Sequence, residues 1–244
     1  MSMTVFRWEH GGCVVGFTTR VGGVSGGAFE SLNLGALTDD DPLNVAENRR
    51  RACEVVGGDA ATATMAWQHH SAEVREAQPR GIVTPRTQFD RCDGLWSDQP
   101  AQAMMLLTAD CLPVAVGRES RSRRPPALAV LHVGWRGLLA GIVARGAEAL
   151  GGGPLAAAVG PGIGPCCYEV GEDVSEPFRA AFGDEIVTDG RLDLWSATEQ
   201  TLRSAGCGQV ERSDLCSYCH PELFFSHRRD RGRTGRQGVV GYIA

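Results

Sequence analysis

Two adjacent histidines, His69-His70, with Cys111 and His132, are the residues of this sequence best suited to hold a metal ion or to activate a nucleophile. Cys111 follows Thr108-Ala109-Asp110 between two apolar runs. His132 comes near the end of the next run, ahead of Gly134-Trp135-Arg136-Gly137. Strand ends are where a sheet presents catalytic groups. Two imidazoles and one thiolate would leave the fourth position of a tetrahedral site open, which is how catalytic zinc is held. A buried structural thiol and a satisfied core histidine would have the same spacing, because none of these residues sits in a local metal motif.

Three other segments carry chemical residue types. Gly160-Pro161-Gly162-Ile163-Gly164-Pro165-Cys166-Cys167-Tyr168-Glu169 superficially matches a dinucleotide fingerprint. Its glycines run G-x-G-x-G, however, and two prolines interrupt the start of any helix, so a rigid loop approaching a ligand, or a plain turn, is expected. Cys216-Ser217-Tyr218-Cys219-His220 has the C-x-x-C-H spacing of haem attachment, which normally belongs to exported proteins, and it fails the nucleobase-deaminase pattern because the order of elements is reversed. A zinc site there needs two more ligands that the sequence does not locate. In the tail from Phe224 to Arg236, two phenylalanines stand beside five arginines, a pattern for a stacking surface next to an anion clamp, or for a solvated basic loop.

The elements that must position these groups follow from periodicity. Val14–Thr18 reads as a strand ending in the Gly-rich loop after Arg20. Asp41-Pro42 caps a helix with apolar residues at helical spacing up to Gly57-Gly58. Ala103–Leu107, Leu112–Val116 and Ala127–Val133 read as buried strands, with an exposed arginine-rich connection over Arg118–Pro126. A helix is expected over Leu138–Leu150, a strand over Ala156–Val159, a helix capped by Asp193 from Leu194 to about Ala205, and a terminal strand over Gly238–Ile243. No internal repeat and no domain boundary stands out, so the alternation suggests one mixed α/β domain over residues 1–244.

Composition narrows the chemistry. Among 244 residues, all 24 cationic side chains are arginines and none is lysine, which excludes Schiff-base catalysis, a P-loop lysine and a Ser-Lys dyad. A guanidinium binds anions in a planar fork but is not an ordinary general base, so proton transfer falls to His, Cys, Asp, Glu or water. With a net charge of −5, a broad basic surface for nucleic acid is not expected. No apolar run is long enough to span a membrane and no signal peptide is evident, so a cytoplasmic protein is expected. Nine cysteines in such a chain suggest thiols or metal ligands over a disulfide framework.

In combination, eight ordered blocks resemble the YfiH, or laccase-domain, family of multicopper polyphenol oxidase-like proteins, whose members are described as purine nucleoside phosphorylases with adenosine deaminase activity. The blocks are Thr19-Arg20-x-Gly22-Gly23-x-Ser25, Leu32-Asn33-Leu34-Gly35, Glu47-Asn48-Arg49, Gln68-x-His70-Ser71, Thr108-Ala109-Asp110-Cys111-x-Pro113-Val114, His132-x-Gly134-Trp135-Arg136-Gly137, Gly160-Pro161-x-Ile163-Gly164-x-Cys166-Cys167-Tyr168 and Phe224-Phe225-Ser226-x-Arg228-Arg229. The resemblance implies a zinc site, with copper as the other metal, made by His70, Cys111 and His132, and so selects His70 over His69. It also implies a mixed α/β fold of packed sheets and helices, similar to cysteine-hydrolase-like folds.

The expected activity is phosphorolysis of adenosine, inosine or methylthioadenosine, together with deamination by water activated at the metal. Arg49, Arg136, Arg228 and Arg229, with Asn48, are the expected substrate and phosphate ligands. Asp110 is a proton carrier, an orienter or a strand-end cap, and His69 a second imidazole able to shuttle a proton. Two other activities stay open: a Cys111-dependent hydrolase editing peptidoglycan precursors, with His132 activating the thiolate, and a copper-dependent polyphenol oxidase, for which six histidines are few. The partners implied are purine nucleosides and phosphate, with a monomer or homodimer as the assembly.

Overall fold

The computed structural model describes residues 3–83, 89–120 and 124–244, so the connection expected over Arg118–Pro126 lies partly outside the described residues. The strands are β1 (Val5–His10), β2 (Cys13–Thr18), β3 (Thr64–Met65), β4 (Val74–Glu76), β5 (Gly94–Ser97), β6 (Met104–Thr108), β7 (Leu112–Arg118), β8 (Ala127–Val133), β9 (Leu155–Val159), β10 (Val187–Thr188), β11 (Arg191–Leu192), β12 (Cys207–Arg212) and β13 (Gln237–Ile243). The helices are α1 (Pro42–Val56), α2 (Trp135–Leu139), α3 (Ile142–Ala149), α4 (Glu172–Phe182) and α5 (Leu194–Ser204).

Two mixed sheets carry the structure, one in the order β1-β2-β13-β6-β3 and the other in the order β12-β9-β7-β8-β5-β4, with β10-β11 a separate hairpin. Their side-chain alternation sorts the core into three layers. Val15, Phe17, Met104, Leu106 and Val239 of the first sheet meet Leu95, Ala115, Leu128, Val130 and Ala158 of the second. The opposite face of the first sheet, with Met105 and Val240, packs on Ala52, Cys53 and Val56 of α1. On the outer face of the second sheet, Val114, Val116, Ala129, Leu131 and Val133 meet Leu138, Ile142, Val143, Phe178 and Leu202 of the remaining helices. The result is an α/β/β/α sandwich. Strands covered on both faces must be apolar throughout, which is why β7 and β8 read as unbroken hydrophobic runs.

Local signals act as the sequence suggests at α1. The Asp41 carboxylate accepts the Leu43 N–H at 2.8 Å, and the helix stops where Gly57 turns left-handed at φ 102°. One expectation is corrected. The helix expected over Leu138–Leu150 is instead two helices, α2 and α3, because Gly141 adopts φ 89° between them. That break lets α2 begin at Trp135, directly after the His132 strand.

Candidate functional site

Three neighbouring strand ends build the site. β5 and β7 both run antiparallel to β8, with Gly94 opposite Leu131, and Leu112 opposite Val133. The residues just before β5 and β7, Asp93 and Cys111, therefore arrive at the same edge as His132, near the end of β8. His70 joins them from the segment after β3. There Gln68 mimics a strand, donating from its amide to the Leu107 carbonyl at 2.7 Å while its carbonyl accepts the Leu107 N–H at 2.8 Å.

The donor atoms of His70, Cys111 and His132 all lie within 4.8 Å of one another. The two imidazole rings meet edge to face at 4.9 Å, and Cys111 is hydrogen-bonded to both histidines. His132 is buried, Cys111 half-buried and His70 exposed, so the group opens to solvent on the His70 side. Gly134 makes room for it, since a Cβ there would stand 3.0 Å from the Cys111 sulfur and 3.2 Å from the His70 ring. One thiolate and two imidazoles around an open side fit a zinc-type ion, whose catalytic sites use three protein ligands. Copper is compatible with the same donors.

Asp93, which sequence reasoning missed, organises this centre. Fully buried, it accepts His132 Nδ1 at 2.8 Å, the backbone N–H groups of His70 at 2.9 Å and Ser71 at 2.7 Å, and the Ser71 hydroxyl at 2.7 Å. Burial pushes its carboxyl up, but the His132 and Ser71 donors outweigh burial and hold it well below the usual carboxylate range. The bond fixes the His132 ring so that Nε2 is left for Cys111 or a metal. Burial likewise works against both members of the Cys111–His132 pair. Their mutual attraction prevails, bringing the thiol down to about 6, and, with Asp93, the imidazolium up to about 9. No sequence signal marked Asp93, which lies in no motif and ahead of a strand, β5, that periodicity does not reveal.

Two strained backbone positions fall in the centre. His70 and Asp110 both sit in the left-handed region, at φ 62° and φ 88°. The Asp110 carboxylate accepts the Ser217 hydroxyl and the Arg228 N–H, each at 2.7 Å, while its carbonyl accepts the Ile163 N–H at 2.8 Å. Both oxygens thus hold loops in place, an anchoring geometry. His69 lies beside the centre, 3.4 Å from an Asp93 oxygen.

The expected substrate ligands separate into two sets. Arg136 and Arg228 stay exposed, stacked on Trp135 at 4.1 Å and over Tyr168 at 5.4 Å, and both, with Cys111, act electrostatically on the Tyr168 hydroxyl. Burial drives that hydroxyl upward. Arg236, the last arginine of the Phe224–Arg236 tail, is in electrostatic reach of Asp110 and Cys111 and is half-buried. Asn48, Arg49 and Arg229 are different, because their polar groups are taken up by protein partners. Asn48 is buried, donating to Ser25, Ser31 and Asn33 and accepting the Val24 N–H. Arg49 is buried against the Leu34 and Ile82 carbonyls, and burial lowers its guanidinium to about 10. Arg229 bonds Asp230 and the carbonyls of Ser217, Tyr218 and Phe224. Their polar groups hold the scaffold because the loops they cross have carbonyls with no sheet partner. The expected stacking surface is likewise absent, as Phe224 and Phe225 are fully buried. The glycines of the 160–164 loop face protein, since a Cβ at Gly160 would stand 2.3 Å from the Phe17 ring and one at Gly164 2.7 Å from Trp195.

Residues 14–244 match the family model described as multi-copper polyphenol oxidoreductase laccase. A purine nucleoside phosphorylase of Deinococcus radiodurans is 39% identical over 233 residues, covering 92% of this chain and 87% of that protein. The purine nucleoside phosphorylase YlmD of Geobacillus stearothermophilus is 34% identical over 245 residues, covering 92% and 88%. The crystal structure of the protein YfiH from Bacillus licheniformis superposes with a TM-score of 0.87 at 33% identity, covering 95% of this chain and 93% of that one. Eight blocks, one sandwich and one His-Cys-His centre meet in a single assignment: this chain belongs to the multi-copper polyphenol oxidoreductase laccase family, the family of YfiH and YlmD.

Proposed function

We propose that this chain is a purine nucleoside phosphorylase with adenosine deaminase activity, acting on adenosine, inosine and methylthioadenosine at the edge shared by β5, β7 and β8. The observation that carries the reading is convergence: two exposed guanidinium groups, Arg136 and Arg228, the latter also donating to the Glu169 carbonyl at 2.8 Å, share the electrostatic surroundings of Tyr168 with Cys111. Relatives named purine nucleoside phosphorylase support it.

In phosphorolysis an oxygen of inorganic phosphate bonds to the anomeric carbon, the bond from that carbon to the purine nitrogen breaks, and its electron pair leaves with the base, which takes up a proton. A chain without lysine must hold the phosphate dianion with guanidinium forks or backbone amides. Arg136 and Arg228 serve as those forks, and Arg236 adds a third positive charge from the half-buried side. Tyr168, beneath Arg228, forms one wall. Asp110 fixes the backbone of Arg228 and so sets where its side chain starts.

His70, Cys111 and His132 would hold a zinc-type ion, which supplies the Lewis acidity and the acidified water that removal of the purine amine needs. Asp93 keeps His132 in the tautomer that presents Nε2, and the left-handed turn at His70 aims the second imidazole at the same point. His69, beside Asp93, is a further imidazole at this edge and serves as the proton shuttle. The cytoplasmic location and the monomeric or homodimeric assembly belong to this reading.

A second reading has its own observation. Cys111, His132 and Asp93 form a nucleophile, base and orienter in series, as a thiol hydrolase needs. Such a series does not require His70, whose imidazole completes a ligand set, and this favours the metal. Inosine incubated with the metal-loaded protein separates the two. Release of hypoxanthine only when phosphate is present is expected, and equal release without phosphate overturns the phosphorylase.

A further inference from the structure

Four cysteines meet on the other side of Asp110. β9 and β12 are parallel neighbours, so the loops leaving their C-terminal ends emerge side by side. Gly162 bridges Cys216 in parallel register. The Gly162 N–H donates to the Leu215 carbonyl at 3.3 Å and the Ser217 N–H to the Gly162 carbonyl at 3.0 Å. One loop then delivers Cys166 and Cys167, the other Cys216 and Cys219. The Cys219 sulfur is 3.6 Å from that of Cys166 and 3.4 Å from that of Cys167, and all four sulfurs lie within 4.8 Å of one another.

We propose that Cys166, Cys167, Cys216 and Cys219 bind a structural zinc ion that staples the two loops walling the reaction centre. A tetrahedron with zinc–sulfur bonds of about 2.3 Å has edges of about 3.8 Å, and the two Cys219 separations, 3.6 and 3.4 Å, fall a few tenths of an ångström short of that length, with the rest inside 4.8 Å. The Cys216-x-x-Cys219 turn is already shaped for it. Backbone N–H groups of Gly164, Tyr218 and Cys219 point at the Cys216 sulfur, with Gly164 at 3.3 Å, as donors do around a metal-bound thiolate. Arg229 donates to the carbonyls of Ser217 and Tyr218 at 2.8 and 3.3 Å, fixing a positive charge beside a centre that four thiolates and one zinc leave at −2.

A disulfide uses two sulfurs at a time, at about 2.05 Å. Here one sulfur, that of Cys219, is nearly equidistant from two others, and the fourth is held by N–H donors. Four protein ligands leave no open position, which marks a structural site. Its consequence reaches the reaction centre. Ser217, inside the turn, donates to Asp110 next to Cys111, and Tyr168 follows Cys167 directly. Binding four thiols displaces their four protons to solvent, with no redox change.

Metal analysis and native thiol labelling of the full chain, purified under reducing conditions, test the inference. Zinc content should fall by one per chain in Cys216→Ser/Cys219→Ser and, independently, by one in Cys111→Ala if that residue holds the first ion. The two losses are separable, so failure of one leaves the other interpretable. Cobalt(II) reconstitution of Cys111→Ala should retain the intense thiolate-to-cobalt band of a tetrathiolate. Should the double variant fail to fold, the wild type decides. Its exposed Cys166 and Cys219 should resist alkylation until a chelator removes zinc. Immediate alkylation of both without chelator, or a disulfide among the four in the non-reduced mass spectrum, overturns the site.

Discussion

Replacing Asp93 with asparagine tests how the centre is organised. The amide is nearly isosteric, but one carboxylate oxygen receives His132 Nδ1 and the His70 N–H at 2.8 and 2.9 Å, and the other receives the Ser71 N–H and hydroxyl, both at 2.7 Å. Either orientation of the amide therefore turns its NH2 group on donors, and the charge that stabilises protonated His132 is lost. Breaking a buried charged network by removing one partner costs roughly 3–5 kcal/mol. At about 2–4 °C per kcal/mol for a chain of this size, the melting temperature should fall by roughly 6–20 °C. Freed from Asp93, His132 also loses its fixed tautomer, and metal affinity should weaken by about 10–100-fold. Melting with and without chelator, combined with competitive zinc titration, reads both effects. A melting temperature within 2 °C of wild type, or zinc affinity within about threefold of it, refutes the assignment of Asp93 as the organiser.

Exposed Arg136 and Arg228 each changed to methionine should raise the KM for phosphate by about 10–100-fold, the worth of a charge-assisted hydrogen bond, with melting unchanged for Arg136 and a loss of about 1 kcal/mol for Arg228, whose bond to the Glu169 carbonyl is removed. Steady-state kinetics at varied phosphate checks this, and an unchanged KM in both variants removes them as phosphate ligands. Asn48→Ala should do the opposite, costing about 3 kcal/mol of stability through its buried hydrogen bonds while leaving KM alone, as denaturant titration and kinetics will show. In Gly134→Ala the added methyl meets the Cys111 sulfur and the His70 ring, so turnover should drop by roughly 100-fold without loss of fold, read from kcat and circular dichroism. In chelator-treated protein the Cys111 thiolate persists down to its lowered titration near about 6 and is lost as pH falls through it. Peptide-resolved alkylation at Cys111 should therefore halve near pH 6, whereas a midpoint near the ordinary thiol value of about 8.5 contradicts the His132 pairing.

Much of this structure is legible in the sequence where local physics decides. The Asp41-Pro42 start and Gly57 stop of α1, the doubly covered strands β7 and β8, and the cap of α5 at Asp193 all follow from residue type and period. α4 escapes because Pro177 lies inside it, and β1 because its residues are half exposed. The centre was readable in residue type but not in role. His70, Cys111 and His132 carry their chemistry in their side chains, whereas Asp93 becomes visible only when β5 pairs with β8. Asn48 and Arg49 look like ligands in a motif, and only the packing of α1 against the Leu32–Leu34 and Ile82 segments shows that they serve the scaffold. The four cysteines likewise lie about 50 residues apart in pairs, joined by the parallel register of β9 and β12.

The most direct test of the proposed chemistry is to turn over adenosine in oxygen-18 water with inorganic phosphate present and to analyse both halves of the product. The account predicts ribose 1-phosphate with no label on its anomeric carbon, because that oxygen comes from phosphate, and hypoxanthine labelled at the carbon that bore the amine. Free ribose as the sugar product contradicts the phosphorylase, and adenine as the sole purine product contradicts the deaminase.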